Sequence, residues 1–365
     1  MADVLQIALG LMCAGGVLVA GASLRRRLSP WPWAVLVGGG GVLLLLVAGM
    51  VGAVGLGIVL AEDLFGMVRL LTWSLFLVVP VFLVGLGVLA LQRSPTVSYG
   101  CWALVLLMGL IALDAFVMEP QWLQVSIHEI ASGKIAAPIR VVVLADIQTD
   151  RPGRYERRAL ERAMAHQPDL LLFAGDYIQL GRRSRAYEDE LAALRGLLAD
   201  VGLQAPLGAY AVGGNVDRPG IWPQAFTGLP VTTMEQTARV DLGPVVVTGL
   251  SYRDASDARL AVGGQDAFHI VLGHTPNFSL GKIDADLLVA GHTHGGQVQL
   301  PFIGPLLTLS SVPRSWASGV TQIAPDTTLV VSRGIGLERG NAPRLRFLCR
   351  PEVVVIDLVP LGNGE

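Results

Sequence analysis

Charge is scarce in this sequence: only 15% of its 365 residues are Asp, Glu, Lys or Arg, and they nearly cancel to a net −2. Such a balance gives no sign of nucleic-acid binding, and none is expected. Cysteine is scarcer still, with three residues, of which Cys13 and Cys101 fall inside apolar runs and only Cys349 lies in the later part. No disulfide can form within that later part, so cysteine usage leaves the compartment open. Internal repeats and low-complexity tracts are also missing, which excludes a solenoid. What abounds is apolarity. Hydrophobic residues make up 52% of the chain and the mean hydropathy is +0.55, too high for an ordinary soluble enzyme of this size.

The apolarity is unevenly placed. Nearly every long uncharged run precedes residue 119, whereas acidic, basic and His residues concentrate after it. The expectation is a transmembrane α-helical region of about four helices over 1–118, a second domain over 119–361 and a flexible tail over 362–365. The runs 4–24, 33–60, 70–91 and 98–118 each approach or exceed the roughly 20 apolar residues that cross a hydrocarbon core. A signal peptide carries its positive charge before the apolar run, but here Arg25, Arg26 and Arg27 follow it, so the first run reads as a retained helix. Those arginines, with Arg93, mark cytoplasmic loops, while Glu62 and Asp63 mark an outer one. An even number of spans then returns the second domain to the extracytoplasmic side of the cell membrane. Trp31, Trp33 and Trp122 sit near run ends, where indole favours the interface. Asp114 stands without a charged partner in its run, so nothing supports transport and the region is assigned to anchoring among membrane lipids.

From residue 139 onward, short β-branched runs alternate with amphipathic stretches, the signal of an α/β domain. The runs are 140–145, 169–174, 245–250, 268–273, 287–290, 328–332 and 353–358. Between the first two, Tyr155, Ala159 and Ala163 form one helical stripe and Arg154, Arg158 and Arg162 another, the second reading as a solvated basic face or a docking surface for anionic groups.

Polar residues fall where these runs stop. Asp146 and Gln148 close VVVLADIQ, Asp176 closes LLLFAGD, Asn215 follows AYAVGGN, His274 follows HIVLGH, and His292 and His294 close LLVAGHTH. Ligand sites of open α/β sheets form beyond the carboxyl ends of strands, so these tips can converge. Carboxylates, an amide and imidazoles gathered there suit two divalent ions better than one tetrahedral ion. Two ions sharing a carboxylate suit phosphoryl chemistry, with hydroxide generated on one of them. Gly175, Gly213, Gly214, Gly273 and Gly291 precede these residues and are expected to permit tight turns. His292 and His294, two apart, would share one face of an extended segment. His269 reads as structural, and His128 and His166 as surface residues.

The blocks ADIQTD, GDYI, GGNVD, LGHTPNF and GHTHGGQ, in that order, resemble the calcineurin-like metallophosphoesterases, especially their membrane-anchored bacterial branch. The ending LVVSRGIG with FLCRPEVVVIDL is similar to that branch's, and the resemblance spans 121–358. It implies an α/β domain of two β-sheets packed as a sandwich flanked by helices, around a dinuclear centre of manganese, iron or zinc. It further implies that Asp146 and His294 hold the first metal, that Asp176 bridges, and that Asn215, His274 and His292 hold the second. Asp146, Asp176, Asn215 and His274 form the expected catalytic set.

Two positions depart from the family's pattern. Gln148 stands where the first block usually has His, and its amide oxygen makes the first metal site weaker or selective for harder ions. Val216 stands where the family has the His that contacts phosphate and assists the leaving group. The implied activity is metal-dependent hydrolysis of a phosphoester or pyrophosphate in a phosphorylated small molecule or lipid. The alternative is a degenerate metal-binding sensor or scaffold of the same fold, which the two departures favour and the six retained residues oppose.

Overall fold

A computed structural model describes residues 64–181 and 184–361. The runs 4–24 and 33–60, the cluster Arg25 to Arg27, Cys13, Trp31, Trp33, Glu62, Asp63 and the tail 362–365 lie outside the described residues. The described chain forms two compact units, divided after Asp114, with Asn341–Pro343 grouped with the first.

Helix α1 (Leu64–Trp73) continues through a π-helical turn, Ser74–Val78, into α2 (Val79–Ala90). The turn sits just before Pro80, whose missing N–H cannot bond the carbonyl four residues back, so the backbone widens there. After the break at Gln92 to Ser94, α3 (Pro95–Leu113) starts with a proline in the position where its missing N–H costs nothing. Gly87 lets α2 meet α3 closely, since a Cβ there would stand 2.7 Å from Trp102 Cδ1. The apolar stretches Leu64–Ala90 and Pro95–Gln121 have 27 residues each and mean hydropathies of 2.4 and 2.3. At 1.5 Å per residue each extends about 40 Å, long enough to cross a hydrocarbon core of about 30 Å.

The second unit is built on two six-stranded mixed sheets. In the first, β1 (Gln124–Ser132), β16 (Glu352–Pro360), β2 (Ile139–Leu144), β3 (Leu170–Phe173), β4 (Ala209–Val212) and β5 (Val231–Met234) lie in that order. All its neighbours are parallel except β16 and β2. The second has the order β14 (Gly319–Ala324), β15 (Thr327–Val331), β11 (Leu287–Ala290), β9 (Phe268–Leu272), β7 (Val245–Gly249) and β6 (Ala238–Asp241). Its outer pairs are antiparallel and its inner strands parallel. Two short ladders join β8 (Ala261–Val262) to β10 (Lys282–Ile283) and β12 (Gln299–Leu300) to β13 (Gly304–Pro305).

The uninterrupted apolarity of β2 follows from burial on both faces. Val141 and Val143 pack with Ile270, Leu272 and Val289 in the core between the sheets. Val142 and Leu144 point the other way, onto Leu160 of α4 (Arg154–Ala165) and Leu194 and Leu198 of α5 (Tyr187–Val201). Each such side chain contributes roughly 1.5–3 kcal/mol on burial. A third cluster, with Val271, Leu288, Leu329 and Phe278, covers the outer face of the second sheet. Strand β1, QVSIHEIAS, escaped the sequence reading because it is a polar edge strand with no buried residue.

Helix α4 carries both expected stripes: Ala159 and Ala163 are buried, while Arg154, Arg158 and Arg162 are exposed. The basic stripe is not wholly solvated, however. Arg162 donates to Leu123 O at 2.7 Å and Arg158 to Gln121 Oε1 at 3.4 Å, fastening the helix to the segment that enters the unit.

Candidate metal centre

Every candidate side chain sits just past a strand. Strand β2 runs into Asp146 and Gln148 (φ 49° and 34°), β3 into Asp176 (57°), and β11 into His292 and His294 (69° and 49°). Left-handed backbone costs a non-glycine residue about 1–3 kcal/mol. Five of the ten such residues among the described ones belong to the candidate set, so strain is concentrated where chemistry is expected. Backbone bonds lock the tips together: Asp146 N to Gly175 O at 3.0 Å, Gln148 N to Asp176 O at 2.8 Å, and Gly291 N to His274 O at 2.8 Å.

Two sequence expectations need correction. Of the five glycines expected to make turns, only Gly175 has positive φ, 88°. Gly291 and Gly214 instead supply space, because a Cβ on the first would lie 2.7 Å from Asp146 Oδ2 and one on the second would overlap the Asp176 carboxylate. Nor do His292 and His294 share the face of an extended segment. Positive φ at both coils the chain into a tight turn that continues through Gly296.

The hydrogen bonds fix which ring nitrogens are free. His274 Nδ1 lies 2.8 Å from Ala174 O, an acceptor only, so Nδ1 carries a proton and the neutral ring presents its Nε2 lone pair. That Nε2 is 2.9 Å from Asn215 Oδ1 and 3.3 Å from Asp176 Oδ2, both acceptors. His292 Nε2 donates in the same way to Leu309 O at 3.2 Å, which leaves Nδ1 facing Asn215 Oδ1 at 2.8 Å. Ligand atoms of Asp176, His274 and His292 all lie within 4.8 Å of one another. Between neutral rings these electron pairs converge, and either a cation or a proton on His274 Nε2 has to separate them. Asp146, fully buried, joins the group with Oδ1 3.9 Å from His274 Nδ1 and both oxygens accepting from His292 N at 3.0 and 3.1 Å.

The electrostatics agree with this crowding. Burial disfavours a charged His274, yet the Asp176 carboxylate and its hydrogen bond, with Asp146, outweigh it and raise the ring to about 9. Burial and the neighbouring His274 lower His292 to about 4. Burial, followed by Arg346, holds His294 neutral, far below the usual imidazole range. Burial also pushes the Asp146 carboxyl up to about 7, although His274 pulls against it.

His294 and Gln148 carry further unused ligand atoms past the same strands. Both ring nitrogens of His294 and Oε1 of Gln148 are buried without a hydrogen-bond partner. His269 is engaged elsewhere, with Thr248 Oγ1 at 2.8 Å and Asp284 O at 3.2 Å. His128 lies on β1, and His166 follows α4, where its carbonyl accepts from Arg140 Nη1 at 3.3 Å.

Sequence reasoning missed several supporting residues. Asp217 is a buried staple whose oxygens accept from Asp176 N, Tyr177 N and Gly214 N at 2.8, 2.9 and 2.7 Å. Arg346, fully buried, donates to the carbonyls of Arg333, Gly334, Gly336 and Cys349 at 2.7, 3.2, 2.7 and 3.0 Å. It thereby holds the segment that seats Gly336 N on Asp146 O at 2.7 Å. Gln179 and Glu338 contact the Gln148 amide. The only sequence signal for any of these was the GGNVD block that contains Asp217.

Comparison with known proteins adds three findings. The model of the calcineurin-like phosphoesterase family matches residues 139–296. An uncharacterized metallophosphoesterase of Bacillus subtilis, YkuE, is 31% identical over 208 residues, covering 53% of this chain and 68% of its own. Phosphodiesterase YaeI of Escherichia coli is 29% identical over 266 residues, covering 66% of this chain and 90% of its own.

Proposed function

Because the chain belongs to the calcineurin-like phosphoesterases, we propose that it is a membrane-anchored, metal-dependent hydrolase of a phosphoester or pyrophosphate bond in a phosphorylated small molecule or lipid. The observation that carries this reading is the convergence of the ligand atoms of Asp176, Asn215, His274 and His292 at the buried strand tips, where a cation can replace the proton that His274 otherwise holds. The nitrogen and oxygen donors fit manganese, iron or zinc. Asn215, His274 and His292 would hold one ion and Asp146, Gln148 and His294 another, with Asp176 shared. Such a pair, when bound, acidifies water toward neutral pH and neutralises phosphoryl oxygens.

The chain's own residues orient this chemistry. Ala174 O fixes the His274 tautomer, and Val216 N holds Asp176 Oδ1 at 3.0 Å. Val216 offers no proton to a departing oxygen, and the Asp217 carboxylate is committed to three backbone amides. Substrates with good leaving groups are therefore favoured. The same absence supports a second reading, a metal-binding sensor or scaffold without turnover; YaeI, whose length this chain nearly covers, is named a phosphodiesterase and supports the first. Hydrolysis of aryl phosphodiesters by the detergent-solubilised protein, measured with and without each metal, separates the two.

Two observations support a site at a lipid surface. The 27-residue apolar helices suit anchoring, and with Arg25 to Arg27 and Arg93 on the cytoplasmic side the domain from residue 119 to 361 would be extracytoplasmic. The segment that supplies Leu309 O to His292 also exposes Phe302, Ile303 and Leu306. Replacing Phe302 and Ile303 by Asp should lower hydrolysis of a long-chain ester in mixed micelles about tenfold or more, since burying each side chain is worth roughly 1.5–3 kcal/mol. A soluble aryl ester should be cleaved as before. Equal loss on both substrates would contradict an apolar contact. For the topology, Gly181→Cys in a Cys13→Ser background should react with an impermeant thiol reagent in intact cells, as Cys101 and Cys349 are buried. Labelling only after lysis would reverse the orientation.

A further inference from the structure

We propose that Glu338 and Gln179 clamp the Gln148 amide so that its oxygen, in place of an imidazole, becomes a ligand of the first ion and makes that site a hard, oxygen-rich one. The proposal rests on the metal-dependent reading above and assigns positioning roles to two residues outside the expected ligand set.

The geometry leaves the amide one orientation. Gln148 is fully buried, and its Nε2 donates to Gln179 Oε1 at 3.0 Å and to Glu338 Oε2 at 2.9 Å. An amide has two hydrogens, and both are spent. Flipping it would press its carbonyl against two acceptors. The clamp is itself held: Gln179 Nε2 donates to Glu338 Oε1 at 2.5 Å, and Glu338 N donates to Gln297 Oε1 at 3.1 Å. Burial pushes the Glu338 carboxyl up, and the amide hydrogens of Gln179 and Gln148 draw it back.

The clamp leaves Gln148 Oε1 as a buried acceptor without a partner, at a cost of roughly 1–3 kcal/mol if nothing binds it. It lies in a residue whose N–H is on Asp176 O and which follows Asp146 by two positions. His294 is also buried with both ring nitrogens unpartnered. Donation from the amide N–H to a carboxylate draws electron density toward Oε1 and strengthens it as a ligand. Oxygens from Asp146, Asp176 and Gln148 with one imidazole form a harder set than one with two imidazoles, which shifts preference from zinc toward manganese or magnesium.

The test is calorimetric titration of the metal-free, detergent-solubilised full chain with manganese and separately with zinc, with bound metal counted by mass spectrometry. The wild type should bind two manganese ions per chain. Glu338→Gln should weaken one of the two sites about 10- to 100-fold, the usual effect of losing a ligand's supporting partner, and leave the other unchanged. Gln148→His should raise the zinc-to-manganese affinity ratio of that same site. In the Gln148→His background, Glu338→Gln should cost less than about threefold, because an imidazole no longer needs the clamp. Unchanged two-site binding in Glu338→Gln and Gln148→Ala would overturn the clamp while leaving the metal-dependent reading intact. The same loss from Glu338→Gln with His at 148 would overturn it too, by showing a general structural role. A wild type that binds no ion would overturn both.

Discussion

Asp176→Ala should deprive the protein of both ions and of hydrolysis, whereas His166→Ala should change neither. Asp176 is the carboxylate that can serve two cations at once: one oxygen lies 3.3 Å from His274 Nε2, while the other accepts Val216 N at 3.0 Å. Removing a residue that merely orients a ligand costs about 10- to 100-fold in metal affinity, so losing a shared ligand should cost more than about 100-fold. His166 lies beyond the end of α4, away from the strand tips, and its carbonyl is occupied by Arg140. Metal content and hydrolysis of an aryl phosphodiester check both variants. Comparable metal loss in the two would show that the centre has been misplaced.

Val216→His should speed the poorest leaving groups most, by about 10² to 10⁴, the range that general-acid assistance supplies. The wild type should accordingly cleave an activated aryl ester far faster than an alkyl one, and the variant should narrow that gap. Asp217, next in sequence, cannot take the role because three backbone N–H groups occupy its oxygens. Burial and Asp176 raise its carboxyl to about 7, but a proton held there would face the backbone of Asp176, Tyr177 and Gly214 rather than a substrate. The measurement is the slope of log rate against leaving-group pKa for both proteins. Equal slopes would mean that another acid acts.

The strand tips were legible because burial on both faces of a sheet produces apolar runs, and a polar residue that ends such a run is conspicuous. Seven core strands could be found in that way, and four of them end in Asp146, in Asp176, in His274 and in His292 with His294. The local backbone could not, because left-handed φ at Asp146, Gln148 or His292 is imposed by bonds to distant residues. Gly214 and Gly291 illustrate the limit: their positions were visible in the sequence, but the carboxylates they make room for approach from other strands. Gln179 and Glu338 left no signal for the same reason, being joined to Gln148 across separations of 31 and 190 residues. Strand β1 was hidden by its polarity, since an edge strand need not be apolar.

The central claim is that converging electron pairs at the strand tips hold two divalent ions that support phosphoester hydrolysis. It is tested most directly by stripping the solubilised protein with a chelator and restoring manganese stepwise. Bound metal would be counted and hydrolysis of an aryl phosphodiester followed at each step. Activity should vanish on stripping and return in full as the second ion per chain binds. Hydrolysis that survives complete removal of metal, or two bound ions with no hydrolysis of any ester, would contradict it.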